Sequence, residues 1–229
     1  MVSILITSYF MIGNCTCWFF HNLTITKLTI MKKSLIGAIV GGIIIFIWQF
    51  LSWTLINLHQ PAQQYTEKQE AVMAVLNSNL EEGGYYMPAI PENSSWADHE
   101  KAMTESIGKP WATIQYHKAL EDNMTMNMVR GLLVNIIIVW LACWIFLRLH
   151  KPTFGSILTA SLFIGLIVFL NSAYTMHIWY QTFDLWAHFV DSILSWGVCG
   201  LWLAWWLRRN KMNNEYSNRS LSNVENLNV

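Results

Sequence analysis

Four stretches of the chain, 34–57, 129–149, 155–174 and 185–207, are each long and apolar enough to cross a bilayer, and nothing else in the sequence limits the fold so sharply. A hydrocarbon core is spanned by ~20 residues of helix. No water reaches backbone N–H and C=O groups at that depth, so each stretch must satisfy its own, and an α-helix does so within one segment. Composition agrees: 54% of the 229 residues are hydrophobic and 12% are charged, against about 25% charged in an ordinary soluble domain. The expected fold is all-α, an integral membrane four-helix bundle over 31–209, with the lipid bilayer as its first partner.

Charge sets the direction. The segments before the first span, between the second and third, and after the fourth hold nine of the 14 basic residues. The loop 58–128 holds four lysines and ten of the 14 acids. The positive-inside rule then keeps both termini in the cytoplasm and puts the loop outside, in a multi-pass protein of the cell inner (plasma) membrane. With a formal net charge of +0 and no basic runs mixed with aromatics, nucleic acid is not an expected partner. Cys15 and Cys17 stand near the start and Cys143 and Cys199 inside apolar runs, so no disulfide framework is read.

Residues 1–30 are followed by "MKKSLIGAIV", which starts at Met31 and has the form of a bacterial start: a methionine, two lysines, an apolar run. They read as an upstream extension, with a fifth span as the alternative. The tail 210–229 is rich in Asn and Ser and is expected to be disordered in the cytoplasm.

The outer loop is too poor in apolar residues for a core of its own and reads as a small, mostly α cap on the bundle. Thr66 with Gln69 forms a capping-box pattern, followed by apolar residues at helical spacing, and the helix is expected to stop at Gly83 and Gly84. Pro88 and Pro91 favour turns or extended chain. Large side chains alternate over 111–117, which reads as a short strand pairing with 85–87; the alternative is a helix running into the second span. His59, His99 and His117 lie in or beside this loop. Their spacing matches no ligand motif, so they are expected to be ordinary loop histidines and no metal or cofactor is assigned.

The most informative spacing is in the fourth span. Asp184, His188, Asp191 and Ser195 stand at i, i+4, i+7 and i+11 and share one helix face. At 1.5 Å per residue, Asp191 lies about 9 Å beyond Leu185. An ionised Asp facing lipid there costs about 2.5–3.5 kcal/mol, so the stripe is expected to turn inward. Among polar residues in the outer halves of the other spans (Gln49, Ser52, Asn57, Arg130, Asn135, Asn171), only Arg130 carries a charge. The expected site is an intramembrane polar cluster of Arg130, Asn171, Asp184, His188 and Asp191, with Arg130 as counter-charge. Such a cluster either fixes helix packing or forms an ion or ligand site. The inner halves offer few polar residues, which argues against a channel. Gly37-x-x-x-Gly41 with Gly42, and Ser156, Ala160, Ser161 and Gly165 on the third span, mark faces where helices approach closely.

The run from "MKKSLIGAIVGGIIIFIWQFLSW" through "LHQ", then "EEGGYYMP" and "DLWAHFVDSILSWGVCGLWLAW", resembles in layout a group of uncharacterised small bacterial inner-membrane proteins with four spans. The resemblance implies the topology and no activity. No nucleophile elbow, HExxH or phosphate loop is present. The expectation is a non-enzymatic membrane protein that contacts a partner, such as another membrane protein, through its acidic outer cap. The alternative is a small carrier or ion-coupled protein using Asp191 and His188.

Overall fold

The computed structural model describes residues 31–149 and 152–227, with side chains through Arg208; the expectations for residues 1–30 lie outside this range. The chain is mostly helical, and four of its helices are long and apolar enough to span a membrane. They are α1 (Met31–Leu55), α4 (Met124–Phe146), α5 (Phe154–Trp179) and the membrane-length part, Leu185–Arg208, of α6 (Leu185–Leu227). Between α1 and α4 lies a cap of two short helices, α2 (Gln69–Asn79) and α3 (Trp96–Ser106), and two strands, β1 (Gly83–Met87) and β2 (Ala112–Tyr116).

Helices α1 and α6 run antiparallel. Lys33 Nζ donates to the Leu207 carbonyl at 2.6 Å, and Trp206 Nε1 donates to the Lys33 carbonyl at 3.0 Å. Farther along, Trp48 Nε1 donates to Asp191 Oδ1 at 3.0 Å. Helix α1 is thus bonded to α6 near both of its ends. Its start and Arg208 therefore lie at one end of the bundle, with the cap at the other.

Small residues set the spacing. A Cβ on Gly41 would sit 2.7 Å from the Val139 side chain and 3.0 Å from Cys199 Sγ, and one on Gly42 would sit 2.7 Å from the backbone of Ile136. Likewise, a Cβ on Gly165 would stand 2.5 Å from the Ser192 carbonyl oxygen, and one on Gly200 2.6 Å from Ser161 Cβ. Behind these contacts is a core of Ile45, Val139, Phe146, Ile157, Trp196 and Leu203 with both span cysteines, weighted toward the end away from the cap. The periphery is apolar too: Leu133, Ile137, Phe163 and Ile167 are all exposed. Such a surface fits hydrocarbon as its solvent, as in a multi-pass membrane protein.

Several boundaries differ from expectation. Helix α4 starts at Met124, ahead of position 129, because no breaker separates it from Asn123. Helix α5 runs past Tyr174 to Trp179 through a π turn, Leu170–Tyr174. The tail expected to be disordered continues α6 to Leu227; once a helix is nucleated, extension adds one bond per residue fixed, and no Gly or Pro lies between 201 and 227 to stop it.

In the cap, Thr66 Oγ1 accepts from the Lys68 N–H, so the expected capping box does not form, and α2 starts at Gln69 without a side-chain cap. The helix ends at Asn79, and Leu80 is extended. Gly83 and Gly84 do not stop it; they open β1, where a Cβ on Gly84 would press to 3.2 Å from Gln115 Oε1 on the opposing strand. Strand β2 pairs antiparallel with β1, Tyr85 opposite Ile114 and Met87 opposite Ala112, so the strand reading of 111–117 describes this segment and the long-helix alternative does not. Lys118 bonds Glu81 just outside the hairpin, which lowers the Glu81 carboxyl pKa and raises that of Lys118. Helix α3 is absent from the sequence reading. Ser95 caps it through a reciprocal pair, its hydroxyl accepting from the Asp98 N–H and its own N–H donating to the Asp98 carboxylate. The bond from the Ser95 hydroxyl holds the Asp98 carboxyl below its ordinary range.

The close approach at Gly165 is testable. Gly165→Ala should destabilise the bundle by about 1–3 kcal/mol, because α6 backbone stands where the methyl must go. Gly155→Ala, with nothing within 4 Å of its Cβ, should be neutral or slightly stabilising. Thermal unfolding in detergent compares the two.

Candidate functional site

The site forms where α1 stops being a regular helix. Its last turn is a π turn, Leu51–Leu55, closed by the Ile56 N–H on the Leu51 carbonyl at 2.9 Å. Asn57 then takes a left-handed conformation at φ 53°, which asparagine tolerates better than most residues, and the Leu58 N–H returns to the Ser52 carbonyl at 3.0 Å. A short 3-10 turn, Gln60–Ala62, follows with Pro61 in it. The reversal drives His59 back over the end of the bundle, where its ring stacks on Trp53 with centroids 3.8 Å apart and planes 7° from parallel.

His59 is 1% exposed, and both of its ring nitrogens meet carboxylates of α6. Nδ1 lies 2.7 Å from Asp184 Oδ2, and Nε2 lies 3.0 Å from Asp191 Oδ2. Asp191 is held at its other oxygen by Trp48. Asp184 caps the N-terminus of α6, its carbonyl accepting from the His188 N–H at 3.1 Å. His188 comes at the same carboxylate from the open side: its Nε2 is 3.3 Å from Asp184 Oδ2, and its ring meets that of His59 edge-on at 4.8 Å. The His188 side chain is 37% exposed, against 16% for Asp191 and 5% for Asp184, so the cluster is most open at His188. One donor atom from each of His59, Asp184 and His188 lies within 4.8 Å of the other two, a grouping able to hold a metal ion.

The structure brings together Asp184, His188 and Asp191 and leaves two expected members out. Arg130 is exposed and forms no ion pair among the described residues. The reason is its position on α4: Asn135, buried, donates to Gln49 Oε1 at 2.7 Å, and Arg130, five residues earlier, points about 140° away round the helix. Because α4 begins six residues before it, Arg130 has a short reach to the helix end, where its charge can remain hydrated. Asn171 is also exposed, two residues and about 200° beyond Phe169, which packs inward. The partner that replaces both is His59, expected to be an ordinary loop histidine. The signal for it was local: an asparagine closing an apolar span, a histidine two residues on, then a proline. Ser195 is buried and reaches only the Ser192 carbonyl, at 3.5 Å, so the polar contacts fade one turn beyond Asp191.

The two bonds to His59 need two protons, shared among one imidazole and two carboxyls, and the unit then fixes the start of the cap loop to two successive turns of α6. Comparison with protein-family models, curated proteins and solved structures found no match to this chain.

Removing this clasp should be costly. His59→Ala should lower stability by about 3 kcal/mol, since it takes a partner from the buried Asp184 carboxylate and from the half-buried Asp191. Arg130→Ala should stay within about 0.5 kcal/mol of the parent. Thermal unfolding in one detergent reads both; equal effects would remove His59 from the centre of the site.

Proposed function

We propose that this is a non-enzymatic membrane protein whose extracytoplasmic cap binds a partner protein. The orientation rests on the basic bias of the sequence, which favours cytoplasmic termini and an outward cap in a plasma membrane. The observation that carries the reading is an apolar groove on an otherwise acidic cap. A cavity of about 550 Å³ is walled by Tyr86, Ile90, Met103, Ile107, Trp111 and Trp179. Met103 and Ile107 are 72% and 81% exposed, Lys109 lines the groove, and Glu100 and Glu105 stand on the same short helix, Glu105 with Lys101 at 3.9 Å. Exposed apolar surface of this kind with a charged rim is characteristic of a docking site. The partner that suits it is an extracytoplasmic segment of another membrane protein, bearing an apolar anchor between basic residues.

The Asp–His cluster favours a second reading, a small carrier or ion-coupled protein working through Asp191 and His188. The apolar core beyond Asp191, with Val139, Phe146, Ile157 and Leu203 fully packed, weighs against a path to the other end. Under the partner reading, Asp191→Asn lowers stability and leaves proton and metal flux in liposomes unchanged; lost flux with intact stability would select the carrier.

A photo-crosslinking side chain at position 107, in native membranes, tests the groove. The expected product is one discrete protein adduct, abolished by Met103→Glu and weakened when Glu100 and Glu105 are both changed to Lys. Crosslinks to lipid alone would show that the groove rests on the bilayer and would overturn the proposal.

A further inference from the structure

The geometry points to a divalent transition-metal site at the cap end of the bundle, with His59 Nδ1, His188 Nε2 and an Asp184 carboxylate oxygen as ligands, and Asp191 and Trp48 as their support. This goes beyond the partner reading and does not depend on it.

A hydrogen-bonded clasp between the loop and α6 requires only His59 and the two aspartates. His188 is the feature such a clasp leaves unused. It directs a second imidazole nitrogen at the oxygen already met by His59 Nδ1, from the most exposed side of the cluster. Two nitrogens and a carboxylate oxygen converging in this way are the donor set of zinc-type sites that keep a fourth position free. Tetrahedral coordination at usual bond lengths spaces donors about 3.3 Å apart. The His188–Asp184 separation is already 3.3 Å, the His59–Asp184 separation is 2.7 Å and all three donors lie within 4.8 Å, so the carboxylate and the exposed His188 ring shift to close on the ion.

The surroundings suit a metal in three further respects. First, His59 keeps its outer nitrogen on Asp191 at 3.0 Å, the carboxylate–imidazole–metal relay that fixes a ligand ring and raises its basicity. Trp48 fixes that carboxylate in turn, and Trp53 fixes the plane of the ring. Second, two carboxylates cancel a double positive charge while both imidazoles stay neutral, so a loaded site places no net charge in a poorly solvated location. A monovalent cation would leave one carboxylate uncompensated. Third, the mixed nitrogen and oxygen donors select Zn²⁺, Co²⁺, Ni²⁺ or Cu²⁺ over Mg²⁺ and Ca²⁺, which take all-oxygen shells of six or more ligands. Loading would attach the cap loop, through His59, to α6 by metal bonds as well as hydrogen bonds.

The test uses the full chain, purified in detergent and stripped with a chelator, then titrated with Zn²⁺ against a chromophoric competitor. One Zn²⁺ per chain is expected, and Co²⁺ should give the intense visible absorption of a tetrahedral site. His188→Gln should weaken binding about tenfold or more, and Asp191→Asn by about 10- to 100-fold. Changing the two cap histidines, His99 and His117, to Gln should leave affinity unchanged. The proposal is overturned if no stoichiometric ion binds, if His188→Gln binds as the parent does, or if affinity follows His99 and His117. Should the site variants fold poorly, Cu²⁺ at one equivalent on the parent chain decides: its EPR spectrum should show two imidazole nitrogens, and one or none sinks the assignment.

Discussion

A carboxylate two turns inside an apolar helix must be matched by the rest of the molecule, and Asp191 is that carboxylate. Left facing hydrocarbon it would cost several kcal/mol; bonded at one oxygen by Trp48 and at the other by His59 it becomes a fixed point. Both partners come from α1 and the turn that ends it. The same interaction that shelters the charge therefore also sets how α1 lies along α6. With Lys33 and Trp206 joining the two helices at their far ends, the register between them is determined at both extremes, and the glycine face of α1 fills the length between.

Packing between those points works by close approach and not by exclusion of water, because lipid is as apolar as the core. Helices in such a solvent gain by bringing backbones together, and Gly41, Gly42, Gly165 and Gly200 each stand where a methyl group would collide with the neighbouring helix. At Gly165 the obstructing atom is a backbone carbonyl of α6, one residue from Asp191. Polar clasp and small-residue contact are thus adjacent on α6: the first holds α1 and the second holds α5.

The sequence made the spans legible because hydropathy over ~20 residues is a strong signal, and it made the stripe of Asp184, His188 and Asp191 legible because i, i+4, i+7 is a geometric statement about one helix. Finding what the stripe meets required facts that a single segment does not encode. Arg130 has the right charge, but the direction it points is fixed by Asn135 facing Gln49, a contact between two helices. His59 lies at the correct end of the chain only because a π turn and a left-handed Asn57 reverse the backbone, and neither is written in a hydrophobic period. The α3 helix escaped for a different reason: its capping pair, Ser95 and Asp98, sits in a stretch dominated by turn formers, where no apolar stripe accompanies it.

The location of His59 also couples two parts of the molecule that are otherwise joined loosely. Tyr116 is buried and its hydroxyl donates to Asn77, so β2 and α2 are held within the cap, while Tyr86 touches Tyr180 edge-on at the end of α5. These are aromatic and single hydrogen-bond contacts, worth about 1 kcal/mol apiece. The bonds from His59 to two carboxylates are stronger, and they lie at the first residues of the loop that becomes the cap. Anything that changes the bonding around Asp184 and His188 acts directly on this attachment. The site, with His188 as its most exposed member, stands at the junction between the span-length helices and the cap, where His59 attaches one to the other.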